Sequence, residues 1–144
     1  MKLRCFLILM VLFTTCLSGA YAADEEVKVF VDGNIVESDV PAVIVNQTAM
    51  LPFRAILNAI GISDEHIVWR EKSKSIEIKT DDTYIFLAID SKGALVNKNM
   101  IMLNTAPYIQ DNRTMIPVRF VSEALGASVD WDNDTRSVII KTNP

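Results

Sequence analysis

The feature that most constrains how this chain can fold is an internal echo of itself. Sliding the sequence by 65 residues lays Val31-Asp32-Gly33-Asn34-Ile35-Val36 on Val96-Asn97-Lys98-Asn99-Met100-Ile101. The same shift, without a gap, lays Met50-Leu51-Pro52-Phe53-Arg54 on Met115-Ile116-Pro117-Val118-Arg119, and Ala59-Ile60-Gly61 on Ala124-Leu125-Gly126. Three residues then drop out. At a shift of 62, Trp69 meets Trp131 and Ser75-Ile76-Glu77-Ile78-Lys79-Thr80 meets Ser137-Val138-Ile139-Ile140-Lys141-Thr142. Self-similarity at a fixed period marks one structural unit used twice. Two units, about 27–82 and 83–142, are therefore expected, each of antiparallel strands packed on one short helix, an α+β fold of two tandem pseudo-repeats.

Each unit reads as a series of local signals. Val27, Val29 and Val31 alternate with Lys28 and Phe30 and run into Asp32-Gly33, a pair suited to the positive φ angles of a tight hairpin. A second apolar stretch, Val43 to Val45 or Tyr108 to Ile109, ends at the turn formers Asn46-Gln47 or Asp111-Asn112. A further strand leads to Pro52 or Pro117, which suit the first turn of a helix, where a missing N–H is not felt. Phe53, Ile56, Leu57 and Ile60 form one apolar stripe, and Gly61 is placed to stop the helix in the left-handed conformation; Val118, Val121, Leu125 and Gly126 repeat the arrangement. Helices of about nine or ten residues cannot stand alone in water and must be held by packing on a sheet. A Trp strand, a polar turn and a closing strand finish each unit, and Tyr84 to Ile89 crosses between the halves as another strand. Val138-Ile139-Ile140 lacks the polar alternation of Ile76-Glu77-Ile78, so the second closing strand is expected to be the more buried.

This succession resembles the copper amine oxidase N-terminal-like domain, or stalk domain. The match is fullest at Met115-Ile116-Pro117-Val118-Arg119-Phe120-Val121-Ser122-Glu123-Ala124-Leu125-Gly126, followed by Val129-Asp130-Trp131-Asp132. The first copy departs from it: Ala55 stands in place of Phe120, Asn58 of Glu123, and Arg70 of Asp132. The resemblance runs from about Val27 to Thr142 and implies a small α+β domain of exported and cell-surface bacterial proteins. In the enzymes that lend the name, such a domain is an appendage away from the copper site, so oxidase chemistry is not implied.

The N-terminal segment points to export. Lys2 and Arg4 precede the apolar run Phe6 to Phe13, and Ala20-Tyr21-Ala22 offers small residues where a signal peptidase reads them. Residues 1–22 are expected to be a signal peptide cleaved after Ala22, with 23–26 a flexible leader, giving a secreted or cell-surface product. The run falls short of the roughly 20 apolar residues that span a bilayer, so no membrane span is expected after cleavage. Cys5 and Cys16 leave with the segment, and Phe13-Thr14-Thr15 is a poor lipobox for Cys16. The 14 Lys and Arg of the whole chain become 12 against 18 Asp and Glu, a net charge of −6. So acidic a product suits neither nucleic acid nor an anionic membrane surface, because binding to phosphates needs clustered cations.

Little in the remaining residues carries chemistry. A copper oxidase site calls for several imidazoles, whereas the chain has only His66, in a segment that the second copy lacks. Neither Tyr21, Tyr84 nor Tyr108 follows an Asn, as the quinone-forming tyrosine of amine oxidases does. No Ser stands in a G-x-S-x-G context that would pair with His66. Asp130, Asp132 and Asp134 have the spacing of a calcium loop, but Thr135 replaces its Gly and Lys141 its bidentate Glu, so a solvated turn is expected. The sequons at Asn46, Asn112 and Asn133 read as turns. No catalytic residue, metal or cofactor is expected. The expected function is a non-catalytic binding or structural module at the cell envelope or outside the cell, whose partner is an envelope polymer or a protein. The alternative is a small secreted hydrolase of wall or extracellular polymer, which needs convergent carboxylates in a cleft.

Four residues remain as candidates for a partner-binding or structural role. Arg54 and Arg119 recur at helix N-termini, where the macrodipole disfavours a cation and something must compensate. An internal salt bridge or a fork onto carbonyls of a neighbouring strand would do so, and an anion site is the alternative. If each neutralises a buried partner, removal costs about 3 to 5 kcal/mol. Trp69 and Trp131 are expected to cover the helix ends as core, or else to stack on a sugar or a partner loop.

Overall fold

A computed structural model describes residues 26–143. The expected signal peptide, both cysteines, Tyr21 and most of the expected leader lie outside the described residues. In chain order the elements are β1 (Lys28–Val31), β2 (Asn34–Ile35), β3 (Val43–Val45), β4 (Thr48–Pro52), α1 (Phe53–Ala59), a 3-10 turn (Asp64–His66), β5 (Ile67–Arg70), β6 (Ser75–Lys79) and β7 (Tyr84–Ala88). They continue with β8 (Gly93–Val96), β9 (Asn99–Met102), β10 (Tyr108–Gln110), β11 (Arg113–Pro117), α2 (Val118–Ala124), β12 (Ser128–Asp132) and β13 (Ser137–Lys141). Strands in sheets with two short helices make an α+β fold.

Three sheets share the chain. The central one has the order β10-β11-β4-β3 and is antiparallel throughout. Its middle ladder pairs Met50 with Pro117, Leu51 with Ile116 and Pro52 with Met115. A 65-residue shift turns this set of pairs into itself, so that Leu51 and Ile116, which correspond in sequence, face one another. Leu51 and Ile116 enter the main core with Phe53, Ile56, Leu57, Val118 and Val121, while Met50 and Met115 turn to the opposite side and pack with Val40. Each helix lies on the central ladder, α1 against both β4 and β11, and α2 likewise.

One outer sheet joins segments distant in sequence, and the other follows chain order. The closing hairpin β12-β13 pairs with β1-β2, from the far end of the chain, and β5-β6 continues through β7 to β8-β9. One pairing corrects the expectation of purely antiparallel units: β1 and β13 run parallel, with Val29 opposite Val138 and Val31 opposite Ile140. Parallel neighbours need a long connection, and here nearly the whole domain supplies it. At the end of the ladder the Asp32 carboxylate accepts the Thr142 backbone N–H at 2.9 Å and the Thr142 hydroxyl.

The turns follow the residues that allow positive φ. Asp32 and Gly33 (49° and 83°), Asn46 and Gln47 (48° and 63°), and Asp111 and Asn112 (48° and 61°) close three hairpins. Both helices have seven residues, shorter than expected. Pro52 and Pro117 are not inside the first turn but at the N-cap, and serve as the last residues of β4 and β11. Ile60 and Leu125 cap the C-termini before Gly61 (φ 92°) and Gly126 (φ 90°) reverse the chain. The closing strands do not differ in depth, because Ile139 and Glu77 both lie half-buried on the outer face while their neighbours are buried. Polar character at that position therefore does not control burial.

Candidate functional site

Two clefts open where a helix and its Trp strand meet the hairpin of the central sheet that comes from the other half of the sequence. The first, about 690 Å³, is bounded by Phe53 and Arg54 of α1, Trp69 of β5, Lys74 of the β5-β6 turn, and Ile109, Asn112 and Arg113 around the β10-β11 turn. The second, about 550 Å³, is bounded by Arg119 and Phe120 of α2, Trp131 of β12, Arg136 of the β12-β13 turn, and Ile44, Gln47 and Thr48 around the β3-β4 turn. The structure thus joins Arg54 to Trp69 in one cleft and Arg119 to Trp131 in the other.

Local geometry explains where these side chains point. In β5 and β12 alternation sends Ile67 and Val129 into the core, and the Trp two residues on faces the same way at the rim. Trp69 packs on the core and donates its indole N–H to Glu71 Oε2 at 2.8 Å. Trp131 departs from the core role expected for it: it is 39% exposed, and its indole N–H reaches Asn133 Oδ1 at 3.4 Å. Phe120 lines this cleft in the position that Ala55 takes in the first.

The arginines meet the same helix-terminus problem each with an exposed carboxylate, to which Arg119 adds a backbone carbonyl. Arg54 donates from Nη1 to Asp64 Oδ1 at 2.7 Å and lies 5.1 Å from the centre of the Phe53 ring. Arg119 donates from Nη1 to the Val129 carbonyl at 2.8 Å and to Glu123 Oε1 at 3.2 Å. The Val129 contact is one N–H onto one carbonyl of the neighbouring strand β12, short of the expected two-pronged fork onto carbonyls. Neither ionic partner is buried, however: Asp64 and Glu123 are both exposed. That corrects the premise of a costly buried pair.

Asp39 and Arg113 line the first cleft and were not singled out from sequence. Arg113 holds Asp39 through Nε–H at 3.3 Å and a second N–H, and this guanidinium keeps the Asp39 carboxyl below its ordinary range. Arg70 similarly lowers Glu77, and the hydroxyl and amide of Thr142 lower Asp32. Asp132 is lowered chiefly by Thr135, its Oδ1 accepting the amides of Thr135 (3.3 Å) and Asp134 (2.9 Å). Its carboxylate thus closes the β12-β13 turn. Every shifted carboxylate is shifted downward by donors, the reverse of what a general acid needs. The signal for Ile44 and Ile109, and for Lys74 and Arg136, was present in the internal alignment, which pairs them at shifts of 65 and 62.

The residues do not fit a copper centre. His66 lies in the 3-10 turn with Nδ1 2.9 Å from the Lys79 carbonyl, and there is no second imidazole to join it. Among the described residues no three of His, Cys, Asp and Glu converge as a metal site would require. Nor, among them, is any helix long and apolar enough to cross a membrane.

The family described as copper amine oxidase N-terminal domain matches residues 30–140, and the chain belongs to that family. A protein of Brevibacillus choshinensis named "Protease inhibitor" is 24% identical over 131 residues, which are 91% of this chain and 39% of the relative. The chain therefore spans about two fifths of that relative's length.

Proposed function

We propose that this member of the copper amine oxidase N-terminal domain family is an exported, non-catalytic binding module. It acts at the cell envelope or outside the cell and is built of two tandem units, about 27–82 and 83–142, that exchange hairpins. The observation that carries the reading is the correspondence of the two clefts. Arg54 and Arg119, Trp69 and Trp131, Pro52 and Pro117, Ile109 and Ile44, and Lys74 and Arg136 are matched by the internal alignment and occupy the same places in each. A duplicated surface offering an indole and a guanidinium suits a partner contacted by stacking and by hydrogen bonds to the planar fork. Asp39, which lines the first cleft, is held low by the Arg113 guanidinium, and a carboxyl lowered in this way suits binding rather than general-acid hydrolysis.

The partner is an envelope polymer or a protein. The Brevibacillus choshinensis relative named "Protease inhibitor" makes a protease one candidate among protein partners. The test is retention of the purified protein on isolated wall polymer, and inhibition of a panel of extracellular proteases, compared with Trp69→Ala, Trp131→Ala and the double variant. Loss of retention or inhibition in the double variant supports the clefts as the site. Unchanged behaviour of a folded double variant sinks it.

A further inference from the structure

Strand β9 ends the five-stranded sheet, with β8 on one side and, among the described residues, no strand on the other. All four of its residues, Asn99-Met100-Ile101-Met102, are exposed, Met100 at 70% and Met102 at 72%. Long apolar edges invite pairing, and proteins commonly blunt them with charge or by shortening the strand. The corresponding edge in the first half is blunted in both ways. β2 has only two residues, and the 65-residue shift places Glu37 where Met102 stands and Asp39 where Asn104 stands. Of the other edge strands, β5 carries Arg70 and β12 carries Asp130 and Asp132, while β3 and β10 are shortened to three residues. β9 has neither device.

The backbone of β9 is set to pair with its own copy. The Leu103 N–H is bonded to the Lys92 carbonyl at 2.7 Å, so alternation along the strand turns Ile101 toward β8 and leaves the N–H and C=O of Met100 and Met102 pointing outward. A two-fold axis through Ile101 sets Met100 opposite Met102 of the second copy, and Met102 opposite Met100. Each such pair exchanges two backbone hydrogen bonds. The same operation puts Ile101 against Ile101, gathers four methionine side chains on one face, and places Lys98 opposite Asn104, so no like charges meet. We propose that β9 is a homodimer interface, in which two copies of this chain join antiparallel about Ile101 into a continuous ten-stranded sheet.

Sedimentation velocity of the purified protein across a concentration series tests this. The parent should pass from monomer to dimer. With Met102→Glu or Met100→Lys alone, association should weaken about tenfold or more, since each introduces an unpaired charge into the seam twice. Met100→Lys combined with Met102→Glu should recover association, because the register sets the new opposite charges facing one another. Hydrogen exchange supplies a readout free of variants: amides of Met100 and Met102 should slow as concentration rises, while that of Ile101 stays as it was. A parent that remains monomeric up to roughly millimolar concentration, the top of the ordinary weak range, overturns the proposal. So does a folded Met102→Glu that associates like the parent, or a double variant that associates no better than the single ones.

Discussion

At residue scale, exposure decides how much a conspicuous side chain contributes. Arg54 and Arg119 stand out in the sequence because they recur at equivalent helix starts, yet both ion pairs are solvated. Exposed pairs contribute about 0 to 1 kcal/mol. Arg54→Ala is therefore expected to shift the denaturant midpoint barely at all. Arg119→Ala should cost about 1 kcal/mol, because it also loses the Val129 carbonyl. A loss of several kcal/mol in either variant would mean that the partner is buried after all. Ser122 runs the other way. It stands 65 residues after Leu57, is fully buried on α2, and its hydroxyl has no hydrogen-bond partner among the described residues. Removing an unsatisfied buried hydroxyl and gaining helix propensity should make Ser122→Ala more stable, by about 0.5 to 2 kcal/mol. A lowered midpoint in a urea melt would contradict this. Nothing in the sequence marks Ser122, since satisfaction of a hydroxyl depends on neighbours that only the fold assembles.

At the scale of elements, local chemistry was legible and pairing was not. Asp32-Gly33, Asn46-Gln47 and Asp111-Asn112 close hairpins because their φ angles need residues that tolerate the left-handed region. Of the expected helix stripe, Phe53, Ile56 and Leu57 are buried as their spacing requires, while Ile60 caps the helix and is only half-buried. The helices stop short of the expected length because Pro52 and Pro117 remain in the strands. Parallel pairing of β1 with β13 left no trace in either strand, because alternation describes faces and says nothing of neighbours. The central ladder concentrates what holds the elements together. Ile116, fully buried opposite Leu51, touches the packing of both helices. Ile116→Ala should cost about 2 to 5 kcal/mol by the cavity it leaves. Equilibrium unfolding would read this directly, and a cost under about 1 kcal/mol would place the structural centre elsewhere.

For the whole molecule, charge sets the response to pH. Asp32, Asp39, Glu77 and Asp132 all have carboxyls lowered by donors in the fold. A group lowered on folding contributes above its unfolded pKa and loses that contribution as pH falls through the folded value. Stability should hold from about pH 8 to 5 and decline below about pH 4, the ordinary carboxylate range. Melting curves across pH check it, and Asp32→Asn should flatten the acid limb. A decline beginning near neutrality would point to other groups. Export is tested at the same scale: N-terminal sequencing of the secreted form should read Ala23 first, and an intact Met1 would overturn it. From the sequence alone follow the acidity, the doubled pattern, the turns, the family resemblance and the poverty of metal ligands, because these depend on residue identity and short spacing. Only the tertiary structure decided that the closing strands pair across the chain, that each Arg and Trp share a cleft completed by the other half's hairpin, and that β9 keeps an open edge. Those outcomes depend on which buried surfaces meet at distances of many tens of residues along the chain, and short-range periodicity carries no record of them.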